Sequence, residues 1–242
     1  MSRPTTAMVL AAGLGKRMRP LTDTTPKPMV RLGGRPLLDH VLDRLADAGI
    51  TRAVVNVHYL ADQIEQHLRD RIRPGVTISD ERDRVLDTGG GIKRALPLLG
   101  VEPFVVHNSD SVWLEGAHAN LPALFDAWDE GRMDSLLLVA ARMRSLGYEG
   151  AGDFLMHADG RLERRRDNAP APLVFTGASI LHPRLLDGIG DDVFSLNRAW
   201  DRAIASGRLH GIILDGFWMH VGTPEALIEA EHCLVHGEPE RT

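Results

Sequence analysis

The sequence predicts an α/β fold of three layers, with a mostly parallel, mixed central sheet between helices. Three observations lead there. Extended and helical periodicities alternate as β-α-β-α-β through the first half, and a glycine-rich loop directly follows the first strand. The 242 residues, 43% of them hydrophobic and 25% charged, are enough to bury a substantial core. In open sheets of this kind the loops at strand C-termini carry the chemistry.

Residues 7–12 read as a short first strand and not as a secretory signal, because Lys16, Arg17 and Arg19 follow the apolar stretch and reverse the order of a signal. In residues 36–48 (PLLDHVLDRLADA), Leu37, Val41, Leu45 and Ala48 share one helical face, and Gly49 is the stop signal. Arg52–Val57 reads as a buried strand, 60–68 as an amphipathic helix and 76–79 as a short strand. A short helix is expected over 92–96, entered from a glycine run and ended by Pro97, with a strand starting over 103–106. The second half is less regular. Helices are expected over 121–130, 194–205 and 224–234, and strands over Ser135–Ala141, Leu173–Leu181 and 209–214. A hairpin joins 153–157 to 161–163 through Ala158-Asp159-Gly160. Residues 142–153 and 168–172 read as long functional loops.

Composition excludes several classes. With 28 Lys+Arg against 33 Asp+Glu the net charge is −5, which argues against a surface that blankets nucleic acid; any anion site must be small. The run Arg161-Leu-Glu-Arg-Arg-Arg166 is a solvated hairpin edge, and two tyrosines with six phenylalanines make no stacking platform. No apolar run approaches the ~18 residues of a membrane helix. The lone Cys233 has no cysteine partner, which points to the reducing cytoplasm, and its neighbours Leu227, Ala230 and Leu234 suit a small buried residue. Among 11 histidines the His232–His236 spacing stands alone, without the glutamate that follows the first histidine in zinc proteases.

After the first strand comes Leu10-Ala-Ala-Gly-Leu-Gly-Lys-Arg-Met-Arg-Pro-Leu-Thr22, then Pro26-Lys-Pro28. Gly13 and Gly15 let main-chain N–H groups approach an anion, while Lys16 and Arg17 add the positive charge that a polyphosphate needs. Lys27, held between prolines, is a preset point charge. The stretch lacks the Gly-Lys-Ser/Thr ending of a Walker loop, and Met18 stands where a dinucleotide fingerprint needs its third glycine.

This stretch resembles the nucleotidyltransferases that make nucleotide sugars from a nucleoside triphosphate and a sugar 1-phosphate. Their signature, Gly-x-Gly-x-Arg-(Met/Leu)-x-Pro-Leu-Thr followed by Pro-Lys-Pro, is matched from Gly13 to Thr22 and from Pro26 to Pro28. Asp87-Thr-Gly-Gly-Gly-Ile92 resembles their base-recognition loop, Asn108-Ser-Asp110 their metal-aspartate loop and Trp218-Met-His-Val-Gly-Thr223 their closing metal loop. The compact length and the Thr-Gly-Gly-Gly-Ile form look most like the uridylyltransferases of N-acetylmuramic acid 1-phosphate in cell-wall recycling. Guanylyltransferases of mannose 1-phosphate are the next form.

The resemblance implies a cytoplasmic enzyme that uses Mg²⁺, with Mn²⁺ as the alternative. It would transfer UMP from UTP to a sugar 1-phosphate and release pyrophosphate. It implies one Rossmann-like domain, with a nucleotide-binding half over about residues 1–115 and a sugar-binding, closing half over about 116–242. Arg17, with Gly13, Gly15 and Lys16, would hold the triphosphate. The main chain of Ala11, Ala12 and Gly13, with Thr88, Gly89 and Gly90, would bind the base, and Asn108 completes the nucleotide set. Lys27 would bridge toward the attacking phosphate, and Asp110 would bind the metal. Asp153, Asn168, Thr176 and Gly177 would line the sugar pocket beside Lys27. The partners implied are the two substrates, with neither nucleic acid nor membrane, in a monomer or homodimer.

Two departures from the family pattern stand out. His220 occupies the position of the second metal-binding aspartate, and imidazole suits Mn²⁺, Co²⁺ or Zn²⁺ better than Mg²⁺. Two readings of His220 stay open, a metal ligand or a hydrogen-bonding neighbour of Asp110. Asp215 is a substitute only if a bulge at Gly216 turns it to the same face. The second departure is Ser109, where glycine is usual and turns more freely. From another class comes the reading of a non-catalytic nucleotide or nucleotide-sugar sensor.

Overall fold

The computed structural model describes residues 3–166 and 169–239. In chain order its first half comprises β1 (Thr6–Leu10), β2 (Arg31–Leu32), β3 (Arg35–Pro36), α1 (Leu37–Asp47), β4 (Arg52–Val57), α2 (Ala61–Leu68), β5 (Gly75–Asp80), α3 (Asp87–Leu99), β6 (Phe104–Asn108) and β7 (Ser111–Glu115). The rest comprises α4 (Asn120–Ala127), β8 (Ser135–Ala141), β9 (Ser145–Leu146), β10 (Phe154–Met156), β11 (Leu162–Arg164), β12 (Leu173–Leu181), α5 (Leu196–Ala205), β13 (Leu209–Ile213), β14 (Gly216–His220) and α6 (Pro224–His236).

The main sheet runs β11-β10-β12-β6-β1-β4-β5, with β8 beside β12 and β13 beside β8. Strands β6, β1, β4 and β5 are parallel, as helical crossovers require. From β12 onward the sheet is mixed: β12 runs antiparallel to β6, β8 and β10, and only β13 returns parallel to β8. The parallel character therefore belongs to the first half. Successive residues of β1 face opposite layers. Ala7 and Val9 pack with Leu38, Val41 and Leu45 of α1 and Ile64 of α2, while Met8 packs with Ile92 and Ala95 of α3 and Trp200 of α5. Each of these leucines, fully buried, contributes about 1.5–3 kcal/mol relative to exposure, so Leu45→Ala costs about 3 kcal/mol.

Helix α3 departs from expectation at both ends. It begins at Asp87, so Gly89, Gly90 and Gly91 lie inside it and are buried, and it passes through Pro97 to stop at Gly100, whose φ is 94°. Packing of the glycine face against residues 192–194 overrides glycine's poor helix propensity. Strands β7 and β14 were also not expected. With β9 they form a separate sheet in the order β7-β14-β9, whose Val112, Phe217 and Met219 share a third core with Met18, Val30 and Cys233 of α6. Cys233 is 1% exposed, the small buried residue that its neighbours imply.

Candidate active site

A cleft of about 620 Å³ opens at the C-terminal ends of β1, β4, β5 and β6. Its floor is the loop after β1, where Gly15 has φ 62° and its carbonyl accepts a 2.8 Å hydrogen bond from the Thr22 hydroxyl. A Cβ at Gly15 would meet Thr22 Cγ2 at 3.0 Å and Lys27 Cβ at 3.1 Å, so glycine lets the basic loop fold onto the Pro26-Lys-Pro28 turn. Met18, fully buried, anchors that loop in the third core. Ala11, Ala12, Gly13, Gly15, Lys16, Arg17, Lys27, Thr88, Asn108 and Asp110 all line the cleft.

Lys27 and Asp110 meet at its inner end, 2.5 Å between Nζ and Oδ2, both half-buried. Burial pushes the Asp110 carboxyl up, but Lys27 and then His220 more than offset it, leaving its pKa below the usual value. His220 lies across the junction, its Nδ1 3.9 Å from Asp110 Oδ2 and its Nε2 3.3 Å from the Arg17 guanidinium. Because arginine only donates, Nε2 accepts, which fits an imidazole kept neutral by burial and by Lys27 and Arg17 against the pull of Asp110. The β7–β14 pairing creates this meeting: His220 stands opposite Ser111, next to Asp110, and Val221 N–H donates to the Asp110 carbonyl at 3.0 Å.

Asp215 lies at the other end of β14 and is engaged by His118 through its N–H and ring, at 2.9 and 3.1 Å, so it does not replace the missing aspartate. Ser109 is unstrained. Among the described non-glycine residues only Leu60 and Asp87 have positive φ.

At the far end of the cleft sit two residues that the sequence reading missed. Asn56 Oδ1 accepts from Ala11 N–H at 2.7 Å, and its Nδ2 donates to Glu81 Oε1 at 2.8 Å. Both side chains line the cleft and both are buried. Burial raises the Glu81 carboxyl above its usual pKa, opposed by Asn56. The one polar residue among the apolar positions of β4 was the available signal for Asn56, whereas Glu81 lies among Asp80, Arg82 and Asp83 and carries none of its own. This arrangement corrects three expectations. The Ala11 N–H is taken by Asn56, and the N–H groups of Gly89 and Gly90 donate to the Phe194 carbonyl at 2.9 and 3.1 Å, so none of the three is free for a base. Thr88 faces the cleft while its Oγ1 accepts from Leu196 N–H at 2.8 Å.

A second cavity of about 360 Å³ adjoins the first and shares Arg17 and Asn108 with it. Thr176 and Gly177 line it where β12 bulges between Phe175 and Ser179, together with Tyr148, Trp218 and His220. Asp153, expected as a lining residue, stands behind the wall. Its two oxygens accept from the Tyr148 hydroxyl and from Phe175 N–H, both at 2.9 Å. The phenol is pushed up to about 12 by burial and by Asp153. Tyr148, missed in the sequence, is therefore the side chain presented to the cavity. Asn168 lies outside the described residues.

Among the described residues no group of three or more His, Cys, Asp or Glu is placed to hold a metal ion. The donors at the junction are one carboxylate and one imidazole, too few to cage an ion. They fit a divalent ion that also takes phosphate oxygens from a nucleotide.

A profile of the family described as "Nucleotidyl transferase" matches residues 6–143. The N-acetylmuramate alpha-1-phosphate uridylyltransferase of Caulobacter vibrioides is 49% identical over 235 residues, covering 96% of this chain and 97% of that protein. Its namesake from Neisseria meningitidis is 38% identical over 93% of this chain and 96% of that one. A mannose-1-phosphate guanyltransferase of Neurospora crassa is 31% identical over 94% of this chain but 63% of its own length. Among solved structures, HddC from Yersinia pseudotuberculosis in complex with GMP-PN has a TM-score of 0.76 at 22% identity, covering 95% of this chain and 99% of that one, a likeness of fold. From the profile match and the full-length relatives it follows that the chain belongs to the nucleotidyl transferase family.

Proposed function

We propose that the protein transfers UMP from UTP to N-acetylmuramic acid α-1-phosphate, releasing pyrophosphate and forming the UDP-sugar. The observation that carries the reading is the meeting of two cavities at Arg17 and Asn108, with the Lys27–Asp110 pair beside it. Two anions must approach each other there, and Arg17, lining both cavities, is placed to screen their repulsion. The phosphate oxygen of the sugar attacks the α-phosphorus of UTP and pyrophosphate leaves. A phosphate monoester is already ionised at pH 7, so no side chain has to remove a proton. Lys27, fixed by its prolines and by Asp110, orients the attacking phosphate, and the loop from Gly13 to Arg17 holds the triphosphate. Asp110, with His220 beside it, would hold a divalent ion, which when bound neutralises phosphate charge as a Lewis acid.

Base selection falls to Glu81. As a carboxylate it accepts from N3–H of uracil or from N1–H of guanine, whereas cytosine and adenine present an acceptor at that edge. GTP with mannose 1-phosphate is accordingly the competing pair. Tyr148, Thr176 and Gly177 receive the sugar. One chain lines both cavities, so the reading requires no second copy; the lone cysteine suits a cytoplasmic setting, and no helix among the described residues is long and apolar enough to cross a membrane.

Pyrophosphate release measured with UTP, GTP, CTP, dTTP and ATP against a panel of sugar 1-phosphates tests the proposal, with UTP and the N-acetylmuramic acid ester expected as the productive pair. Silence across the panel while nucleotide still binds would make the protein a sensor. Running the same assay on His220→Asp with Mg²⁺ and Mn²⁺ separates the roles of His220. A shift toward Mg²⁺ marks a ligand, and an unchanged metal profile marks a hydrogen-bonding neighbour.

A further inference from the structure

The glycine run of α3 has a use other than offering N–H groups to a ligand. A Cβ on Gly89 would sit 2.3 Å from the Phe194 ring, and one on Gly90 would sit 2.1 Å from the Asp192 carbonyl oxygen. The missing side chains are thus the seat for a segment of the second half. That segment is bonded down along its length. Phe194 N–H donates to the Leu86 carbonyl at 3.3 Å, its carbonyl accepts from both glycines, and Lys93 Nζ donates to the Asp191 carbonyl at 3.0 Å.

Docking in this way delivers Val193 into the nucleotide cleft. Val193 and Val85 are 40% and 43% exposed, and they are the two exposed large apolar side chains among the residues lining that cleft. The bond between Leu86 and Phe194, their respective chain neighbours, holds the segments that carry the two valines next to each other at the cleft. Branched apolar side chains left open to water in this way form a shelf, and a flat base laid on it would remove their methyl groups from solvent. Glu81 and Asn56 line the same cleft and supply the polar groups that a base edge needs.

We infer that Val193, carried on the 191–195 segment, is a binding residue that contacts one face of the nucleobase and completes the nucleotide site from the opposite half of the chain. The inference rests on the reading of the cleft as a nucleotide site.

Dissociation constants for UTP and for inorganic tripolyphosphate, measured with Mg²⁺ on the whole protein, test it. Val193→Ala is expected to weaken UTP about fivefold, the Val85→Ala/Val193→Ala double variant about twentyfold, and Val193→Ile less than twofold. Tripolyphosphate, which has no base, should bind all of them within about twofold of wild type. UTP binding unchanged in Val193→Ala and in the double variant would overturn the inference, as would an equal loss for tripolyphosphate, which would mean that Val193 acts through the fold. Failure of the underlying reading would show earlier and separately, as wild-type protein that binds no nucleotide.

Discussion

The larger cleft takes its polar groups from loops at the ends of parallel strands, whereas the smaller cavity is walled by antiparallel β12, by β14 and by the turn around Tyr148. On the nucleotide side a short stretch of chain, from Ala11 to Lys27, supplies all three cations that line the cleft. On the sugar side the wall depends on bonds between distant residues. Ser111 Oγ donates to the Thr176 carbonyl 65 residues away and accepts from Trp218 Nε1, 107 residues away, at 2.8 Å. On the proposed reading, phosphate is held by a local device and sugar by the packing of three separate strands. Substitutions should therefore separate by substrate, except at the junction that both cavities share.

Lys27→Ala is the severest test of that exception. It removes the cation beside Arg17 at the junction and leaves the half-buried Asp110 without its lysine partner, so kcat should fall about a thousandfold with either substrate saturating. A loss confined to the KM of one substrate would break the comparison.

His107 occupies the seam between the two constructions, opposite Val9 of parallel β1 and Ala178 of antiparallel β12. It is fully buried, stacked on Trp113, and burial lowers its pKa to about 4. Between that value and the ordinary 6.5 the unfolded chain binds the extra proton, so stability is full above 6.5 and declines as pH falls toward 4. The loss attributable to this group is about 3 kcal/mol. Urea titrations at neutral and acid pH should show a smaller acid loss for His107→Gln than for wild type, and parallel losses would contradict the assignment.

Smaller effects sharpen the division. Glu81→Gln should raise the UTP dissociation constant about tenfold and narrow the preference for UTP over CTP, with the sugar KM unmoved. Tyr148→Phe, which frees Asp153, should raise the sugar 1-phosphate KM about fivefold and leave UTP binding unchanged. Crossed effects in either variant would mean that the two cavities are not independent.

The same contrast decides what was legible in the sequence. Arg52–Val57, Ser135–Ala141 and Leu173–Leu181 are strands with the predicted limits, because buried apolar runs flanked by turns carry their own signal. The loop from Gly13 to Lys27 was readable because its residues lie close together in the chain. Asn56 and Glu81 were not, since Asn56 is one polar residue in an apolar strand and Glu81 one of several charges in the run from Asp80 to Arg84, and each acquires meaning only when β4 and β5 place Asn56 between Ala11 and Glu81. The glycines of α3 misled for the opposite reason: helix propensity favoured a loop, whereas the packed segment at 192–194 demanded residues without side chains inside a helix. Asp153 stood out by its resemblance to a sugar-pocket position, but its carboxylate is turned toward the Tyr148 hydroxyl and Phe175 N–H and away from the cavity.

The central claim is that both substrates react where the two cavities meet. Phosphorus NMR of the protein with UTP, N-acetylmuramic acid α-1-phosphate and Mg²⁺ tests it most directly. The prediction is that the monoester signal disappears as diphosphate-ester and pyrophosphate signals grow in equal amounts, and that Lys27→Ala abolishes all three changes. Pyrophosphate formed together with free UMP, at a rate indifferent to the sugar phosphate, would contradict it.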